Sequence, residues 1–363
     1  MIKSMKVTKD TIRFADKKYH FNELFNLDNG FYVRSGIIEN GKDTGVDPFM
    51  RSYPALIDIG IMAKCANAKY CPVGCYQNRH KGENNMSFDD YKTIIDQIQG
   101  KVMQVALGGA GSPNEHEDFE KIVRYTREHD IIPNYTTSGI GITDEMVRIT
   151  KQFCGAVACS FYDMPYTYDA IRRFIEAGVT TNIHYVLGND SIDRAIAWLK
   201  NPTAVPEGVN AVIFLLHKPV GLGRSSNVLQ NNDPKVAEFF ALVDKHEGPW
   251  QIGFDSCTIP GIMNHSKNIM HESIDSCEAA RYSCYITHDM KMLSCSFDNQ
   301  DLRWAVDLRQ STIEEAWNSA KFDSFRSHFT GSCKNCKDHE LCMGGCPIRR
   351  EIVLCDRAEK ELV

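Results

Sequence analysis

The 363-residue sequence lacks several features that would each point to a class of protein. Its longest apolar runs, such as Ala211 to Leu216, fall far short of the ~18 residues that a membrane span needs. The opening Met1-Ile2-Lys3-Ser4-Met5-Lys6 has basic residues but no apolar h-region behind them, so a secretory signal is not expected. Excess positive charge is missing too. The 41 Lys and Arg against 47 Asp and Glu give a net charge of −6, which argues against nucleic-acid binding through a broad basic footprint. No internal repeat or low-complexity segment is present. The expectation is a cytoplasmic globular protein with neither membrane nor nucleic acid among its partners. At about 150 residues per domain, its length suggests about two domains.

Cysteine is what the chain has in abundance, with 14 residues. A reducing compartment does not preserve disulfides, and a chain of this size does not need them. Three cysteines crowd residues 65–75 and five crowd 333–355, while Cys154 and Cys159 stand apart and read as small buried hydrophobes. Clustered thiols in such a compartment point to zinc or iron–sulfur.

Between about residues 55 and 256, short apolar runs alternate with helical patterns. Strands are expected at Ala55–Met62, Val102–Leu107, Ile131–Thr137, Ala156–Tyr162, Thr181–Leu187 and Val209–Leu216. Helices are expected between them, one opening at Ser87 and another ending at Gly178. This alternation implies right-handed βαβ units around a parallel sheet. Six such units make an α/β fold, a partial (β/α)6 TIM-like barrel, with chemistry at the C-terminal ends of its strands. Residues 1–54 read as an N-terminal β-rich extension, with strands at Thr11–Phe14 and Gly30–Ile38. Residues 257–363 read as a small cysteine-rich, metal-stapled domain with one clear helix from Ser311 to about Arg326.

Cys65-x5-Cys71-x3-Cys75 directly follows the first barrel strand. Three thiolates can hold three irons of a 4Fe–4S cube and leave the fourth open to chelation. A structural zinc would want a fourth ligand, and His80 is the only imidazole nearby. Such a loop after the first strand of a partial barrel resembles that of radical S-adenosylmethionine (SAM) enzymes. By that resemblance Gly108, Gly109 and Ala110 form the turn that holds the SAM amino group. Thr137 and Ser138 end strand three, and Ser160 contacts the ribose. Ile183, Val186 and the stretch from Leu216 to Lys218 fall where adenine and carboxylate contacts are expected. Two departures stand out. The family's usual spacing is C-x3-C-x2-C, and the third residue of its glycine turn is usually glutamate rather than Ala110.

The second group, Cys333-x2-Cys336-x5-Cys342-x3-Cys346-x8-Cys355, together with Cys277 and Cys295, is similar to the SPASM auxiliary-cluster domain, with Met290 where that pattern has glycine. The resemblance implies one auxiliary cluster on Cys277, Cys295 and Cys346, its fourth ligand open between Cys257 and Cys284, with Cys257 favoured. The other falls to Cys333, Cys336, Cys342 and Cys355. On residues alone these sets fit zinc as well as iron.

Taken together, the resemblance implies three 4Fe–4S clusters, SAM, and a reducing donor such as flavodoxin or ferredoxin. The implied activity is hydrogen abstraction from a peptide or protein side chain by a 5′-deoxyadenosyl radical, with oxidative cross-linking of a ribosomally made peptide as the leading expectation. Formylglycine formation is a second reading. Sulfatase-maturing relatives place an aspartate base directly after the second SPASM cysteine, where this chain has Ser296, with Asp298 two residues on. Radical dehydrogenation of a small molecule and a non-catalytic metal protein are the others. The 54 residues before the barrel look short for a complete leader-recognition domain, so recognition is expected from a separate protein unless the substrate has no leader. The candidate bases are His184, His217 and Asp298. Tyr76, Tyr162 and Arg224 are further pocket candidates.

Overall fold

The computed structural model describes residues 2–65, 74–77, 84–268, 270, 273–331, 333 and 335–356. Four antiparallel strands open the chain: β1 (Ile2–Lys6), β2 (Thr11–Asp16), β3 (Phe21–Asn26) and β4 (Tyr32–Arg34), followed by the small hairpin of β5 (Ile38–Glu39) and β6 (Lys42–Asp43). The single strand expected across Gly30–Ile38 is therefore two, in separate sheets, because the chain turns away at Ser35–Ile37. One face of β2 and β3 buries Ile12, Phe14, Phe21 and Phe25, and Glu23 is buried in the same row. That carboxylate is held by Arg51, at 2.7 Å, with both side chains shut off from water. Arg51 also donates to the carbonyls of Tyr53, Pro54 and Lys101, which anchors the small sheet to the entry of the barrel.

The barrel strands are β7 (Leu56–Met62), β8 (Gln104–Gly109), β9 (Ile132–Thr137), β10 (Val157–Ser160), β11 (Thr181–Leu187), β12 (Ala211–Leu216) and β13 (Gln251–Phe254). They pair in parallel and in chain order. Helices α1 (Phe88–Ile98), α2 (Phe119–Glu128), α3 (Asp144–Phe153), α4 (Pro165–Glu176), α5 (Ile192–Lys200) and α6 (Pro234–Val243) alternate with them. The Ser87 side chain accepts from the Asp90 amide and caps α1, as its sequence predicts.

After α7 (Ile259–His265), strands β14 (Ser283–Ile286), β15 (Lys291–Leu293) and β16 (Val306–Asp307) extend the same sheet, giving the order β13-β12-β11-β10-β9-β8-β7-β14-β15-β16. The helix expected from Ser311 is two helices, α8 (Ile313–Trp317) and α9 (Ala320–Gly331). The first is opened by a capping box in which the Thr312 hydroxyl accepts from the Glu315 amide and the Glu315 carboxylate accepts from the Thr312 amide. This C-terminal part also buries Trp317, Phe322, Phe325 and Phe329, so apolar packing holds it alongside its cysteines. Among the described residues no helix is long and apolar enough to cross a membrane.

Strand alternation divides the barrel into two surfaces. Ile57, Ile59, Val105, Tyr135, Cys159, Ile183, Val212 and Phe214 are buried in the apolar core shared with the helices. The other face looks inward and carries polar side chains among small and apolar ones. Its rows run Asp58–Ala106–Asn134, then Thr136–Ala158–Asn182–Ala211, then Ser160–His184–Ile213 at the C-terminal ends.

The Glu23–Arg51 pair supplies the first test. Glu23→Ala strands a buried guanidinium, so a loss of about 3–5 kcal/mol in stability is expected from denaturant unfolding.

Candidate functional site

The glycine turn is pressed onto the start of the cysteine loop. Gly109 adopts φ +117°, and a Cβ there would stand 2.4 Å from the Met62 carbonyl oxygen, so no larger residue fits. The Ala110 amide donates to the same Met62 carbonyl at 2.8 Å. At Gly108 a Cβ would meet nothing within 4 Å, so this peptide faces open space inside the barrel mouth. Ser112 ties the turn to the end of β9, its hydroxyl accepting from the Ser138 amide at 3.0 Å. Cys65 follows β7 closely, and the Cys75 carbonyl accepts from the Leu222 amide of the loop after β12. Cys71 and His80 lie outside the described residues. Ala110 lines a cavity with Met62, Gln77, Tyr285, Asp289 and Asn299.

Of the three candidate bases, only His184 faces the barrel interior. Its Nδ1 lies 3.3 Å from Thr136 Oγ1, and burial lowers its pKa to about 4, with the Asp255 carboxylate pulling the other way. The His217 ring is hydrogen-bonded through Nε2 to the Arg224 carbonyl at 3.0 Å and thereby pins its own loop. The Asp298 carboxylate accepts from the backbone amides of Trp304 and Arg303, the role of a turn cap.

The expected SAM contacts divide in the same way. Ser160 and Val186 look into the barrel, whereas the side chains of Thr137, Ile183 and Leu216 are buried on the helix side. Only their backbone, or their neighbours Thr136 and Leu215, can serve a ligand there. Arg224 is exposed and Tyr162 half-buried. Tyr76 is half-buried, hydrogen-bonded to Gln77 and Ser296, and packs on Phe297 with ring centroids 4.4 Å apart.

Asp58 is a residue that sequence reasoning missed. It sits on the inner face of β7 near Tyr76, Tyr285, Cys284 and Glu278, and burial pushes its pKa up to about 7. The available signal was a lone acid at an alternate position in an apolar strand, Leu56-Ile-Asp-Ile59.

The cysteines of the C-terminal part fall into two groups. Cys333, Cys336, Cys342 and Cys355 line one cavity together with Pro260 and Val353. In the other group Cys257 and Cys346 are hydrogen-bonded through their sulfurs, and Cys277 and Cys295 lie within electrostatic reach of Cys257. Left-handed backbone at Met343, Gly344 and Gly345 turns the chain between Cys342 and Cys346, which sends the two sulfurs to different groups. Cys284 is buried in β14, where Asp58 and Arg326 are its charged neighbours.

Three sulfurs accept a backbone N–H from two residues on: Cys277 from Ala279, Cys295 from Phe297 and Cys342 from Gly344. Such bonds stabilise bound thiolates and suit both groups to iron–sulfur ligation. Burial raises the thiols, Cys342 to about 11 and Cys277 to about 12, so loading these sites must displace protons. Among the described residues no three His, Cys, Asp or Glu side chains close on a single-ion position.

Known proteins match this arrangement in sequence and in fold. The SPASM family, an iron-sulfur cluster-binding domain, matches residues 277–338. Mycofactocin maturase MftC of Mycobacterium tuberculosis is 23% identical over 302 residues, covering 74% of this chain and 72% of the relative. Streptococcus suis SuiB bound to S-adenosylmethionine superposes with a TM-score of 0.71 at 14% identity, over 94% of this chain and 95% of that one. Native anSMEcpe with bound AdoMet gives 0.62 at 16% identity, over 85% and 95% of the two chains. The resemblance to radical SAM enzymes with a SPASM domain thus holds in the sequence matches and in the architecture.

The two inward-facing titratable groups have opposite signs in stability. Asp58 is held protonated to higher pH in the folded chain than in the unfolded one, so its contribution is complete below its ordinary value of 3.8 and is lost as pH rises through about 7. His184 acts the other way and costs stability as pH falls from 6.5 through about 4. Asp58→Asn is therefore expected to stabilise the protein at pH 8 by on the order of 2 kcal/mol, a gain that shrinks toward pH 5 in denaturant unfolding.

Proposed function

We propose that this radical SAM enzyme with a SPASM domain is a maturase that oxidatively cross-links a ribosomally made peptide. The observation that carries the reading is the inward-facing barrel surface, which carries Thr136, Ser160 and His184 toward the C-terminal strand ends, where the glycine turn follows β8 and Cys65 follows β7. SuiB, similar in fold, has been crystallised with its precursor peptide SuiA. Mycofactocin maturase MftC, similar in sequence, is likewise a maturase.

In this reading Cys65, Cys71 and Cys75 hold the catalytic cluster. Cys257, Cys277, Cys295 and Cys346 hold one auxiliary cluster, and Cys333, Cys336, Cys342 and Cys355 the other. The first cluster, with SAM, supplies a 5′-deoxyadenosyl radical able to take a hydrogen atom from an unactivated C–H bond. Gly108 and Gly109 offer backbone carbonyls to the SAM ammonium, a role that Ala110 cannot support with a carboxylate. Ser160 would serve the ribose and Val186 the adenine. Thr136 and His184 form a polar wall beside the reacting position, with the imidazole neutral at pH 7 because it is buried. Apolar strand faces under the helices keep water out of the barrel wall. A flavodoxin- or ferredoxin-type protein would deliver the electron.

Formylglycine formation is the weaker reading. It needs a carboxylate base beside the second SPASM cysteine, whereas Ser296 is hydrogen-bonded to Tyr76 and Asp298 is occupied by backbone amides.

The direct test is SAM cleavage. Protein reconstituted with iron and sulfide without oxygen, then given SAM and dithionite, is expected to release 5′-deoxyadenosine. The Cys71→Ala variant should release none. A fully loaded first cluster that yields no 5′-deoxyadenosine, with or without candidate precursor peptides, would overturn the reading.

A further inference from the structure

An ion pair lies between the barrel interior and the Cys257 group of thiols. Lys218, at the end of β12, is almost entirely buried, its side chain 3% exposed, and its ammonium donates to Asp255 Oδ2 at 2.5 Å and to the Leu216 carbonyl at 2.9 Å. Asp255 is fixed in turn by the Thr258 hydroxyl, which donates to its Oδ1 at 2.8 Å. The ammonium also lies 4.5 Å from the centroid of the Phe297 ring, and the Phe297 amide donates to the Cys295 sulfur.

The pair sits among the ligand-bearing turns. Asp255 lies two residues before Cys257, and Phe297, under the ammonium, lies two residues after Cys295. Cys257, Cys295 and Cys346 are all within electrostatic reach of Lys218.

An ion pair kept only for stability need not be arranged this way, and apolar residues of similar volume often serve stability as well. A cation held close to an iron–sulfur centre in a medium of low dielectric favours the state with one more electron. Lys218 keeps its proton throughout, because its carboxylate partner and the thiols hold its pKa above the ordinary lysine value despite burial. The half-reaction adds one electron to the centre and moves no proton on the lysine.

We propose that Lys218, held in place by Asp255, is a positioning residue that raises the reduction potential of the auxiliary centre on Cys257, Cys277, Cys295 and Cys346. This rests on the ligand reading above.

The test is a potentiometric titration of the loaded holoenzyme followed by electron paramagnetic resonance. Lys218→Met removes the charge at similar length, Lys218→Arg keeps it, and Lys218→Met with Asp255→Asn removes both charges so that no carboxylate is left buried alone. The expected result is one auxiliary potential shifted downward in Lys218→Met and in the double variant, restored toward the parent value in Lys218→Arg, with the other two centres unmoved. A folded, fully loaded double variant with unchanged potentials would overturn the proposal and leave the pair a structural one. Cysteine replacements separate the other way of failing. If Cys277→Ala and Cys295→Ala lose neither iron nor a resonance signal, the ligand reading fails, and the role of Lys218 falls with it.

Discussion

Leu56–Ile59 of the first barrel strand pair in parallel with Ser283–Ile286 of the C-terminal part, and the remaining functional geometry depends on that ladder. One backbone strip thereby carries the barrel on one side and the β14–β16 extension on the other. The cysteine loop leaves the top of β7 on Cys65, and the β14–β15 hairpin stands next to it between Cys277 and Cys295. Cys65 and Cys277 thus lie on chain segments joined by one ladder, although more than 200 residues separate them. A one-residue slip would exchange Asp58 and Tyr285 for Ile57 and Cys284 on the inner face, so the register is strongly specified.

Charge inside this protein is used sparingly and is nearly always answered. Arg51 meets Glu23 and three carbonyls, Arg281 donates to Phe49, Ser276 and Cys277, and Arg326 donates to the carbonyls of Ala280 and Trp317. These guanidiniums act as multi-pronged braces between segments distant in sequence. Asp58 differs from them, since no hydrogen-bond partner holds its carboxyl among the described residues and burial alone raises its pKa. It lies on the inner face near Tyr76 and Tyr285, a polar group of the barrel interior.

The barrel was legible because each strand and helix announces itself locally: β-branched runs, the Ser87 and Thr143 caps, and Gly178 after α4. The SPASM pattern was legible because cysteine spacing survives any folding. Less legible were features that depend on which way a side chain points. Ile183 and Leu216 lie in the right strands, yet on the helix side. Asp298 has the right chemistry, yet its carboxylate is taken by the backbone of its own turn. The helix expected as one unit from Ser311 is divided between Trp317 and Ala320.

The sequence by itself determined the alternating βα order, the two cysteine groups and the glycine turn, because periodicity, spacing and backbone freedom are properties of the chain. Tertiary structure alone decided that Cys257 rather than Cys284 lies with Cys346, and that Lys218 and Asp255 meet between the barrel and the thiols. It alone left His184 as the imidazole that faces inward. Those outcomes rest on long-range strand register and on the turn at Met343–Gly345. Both are set by packing between segments that carry no local record of one another.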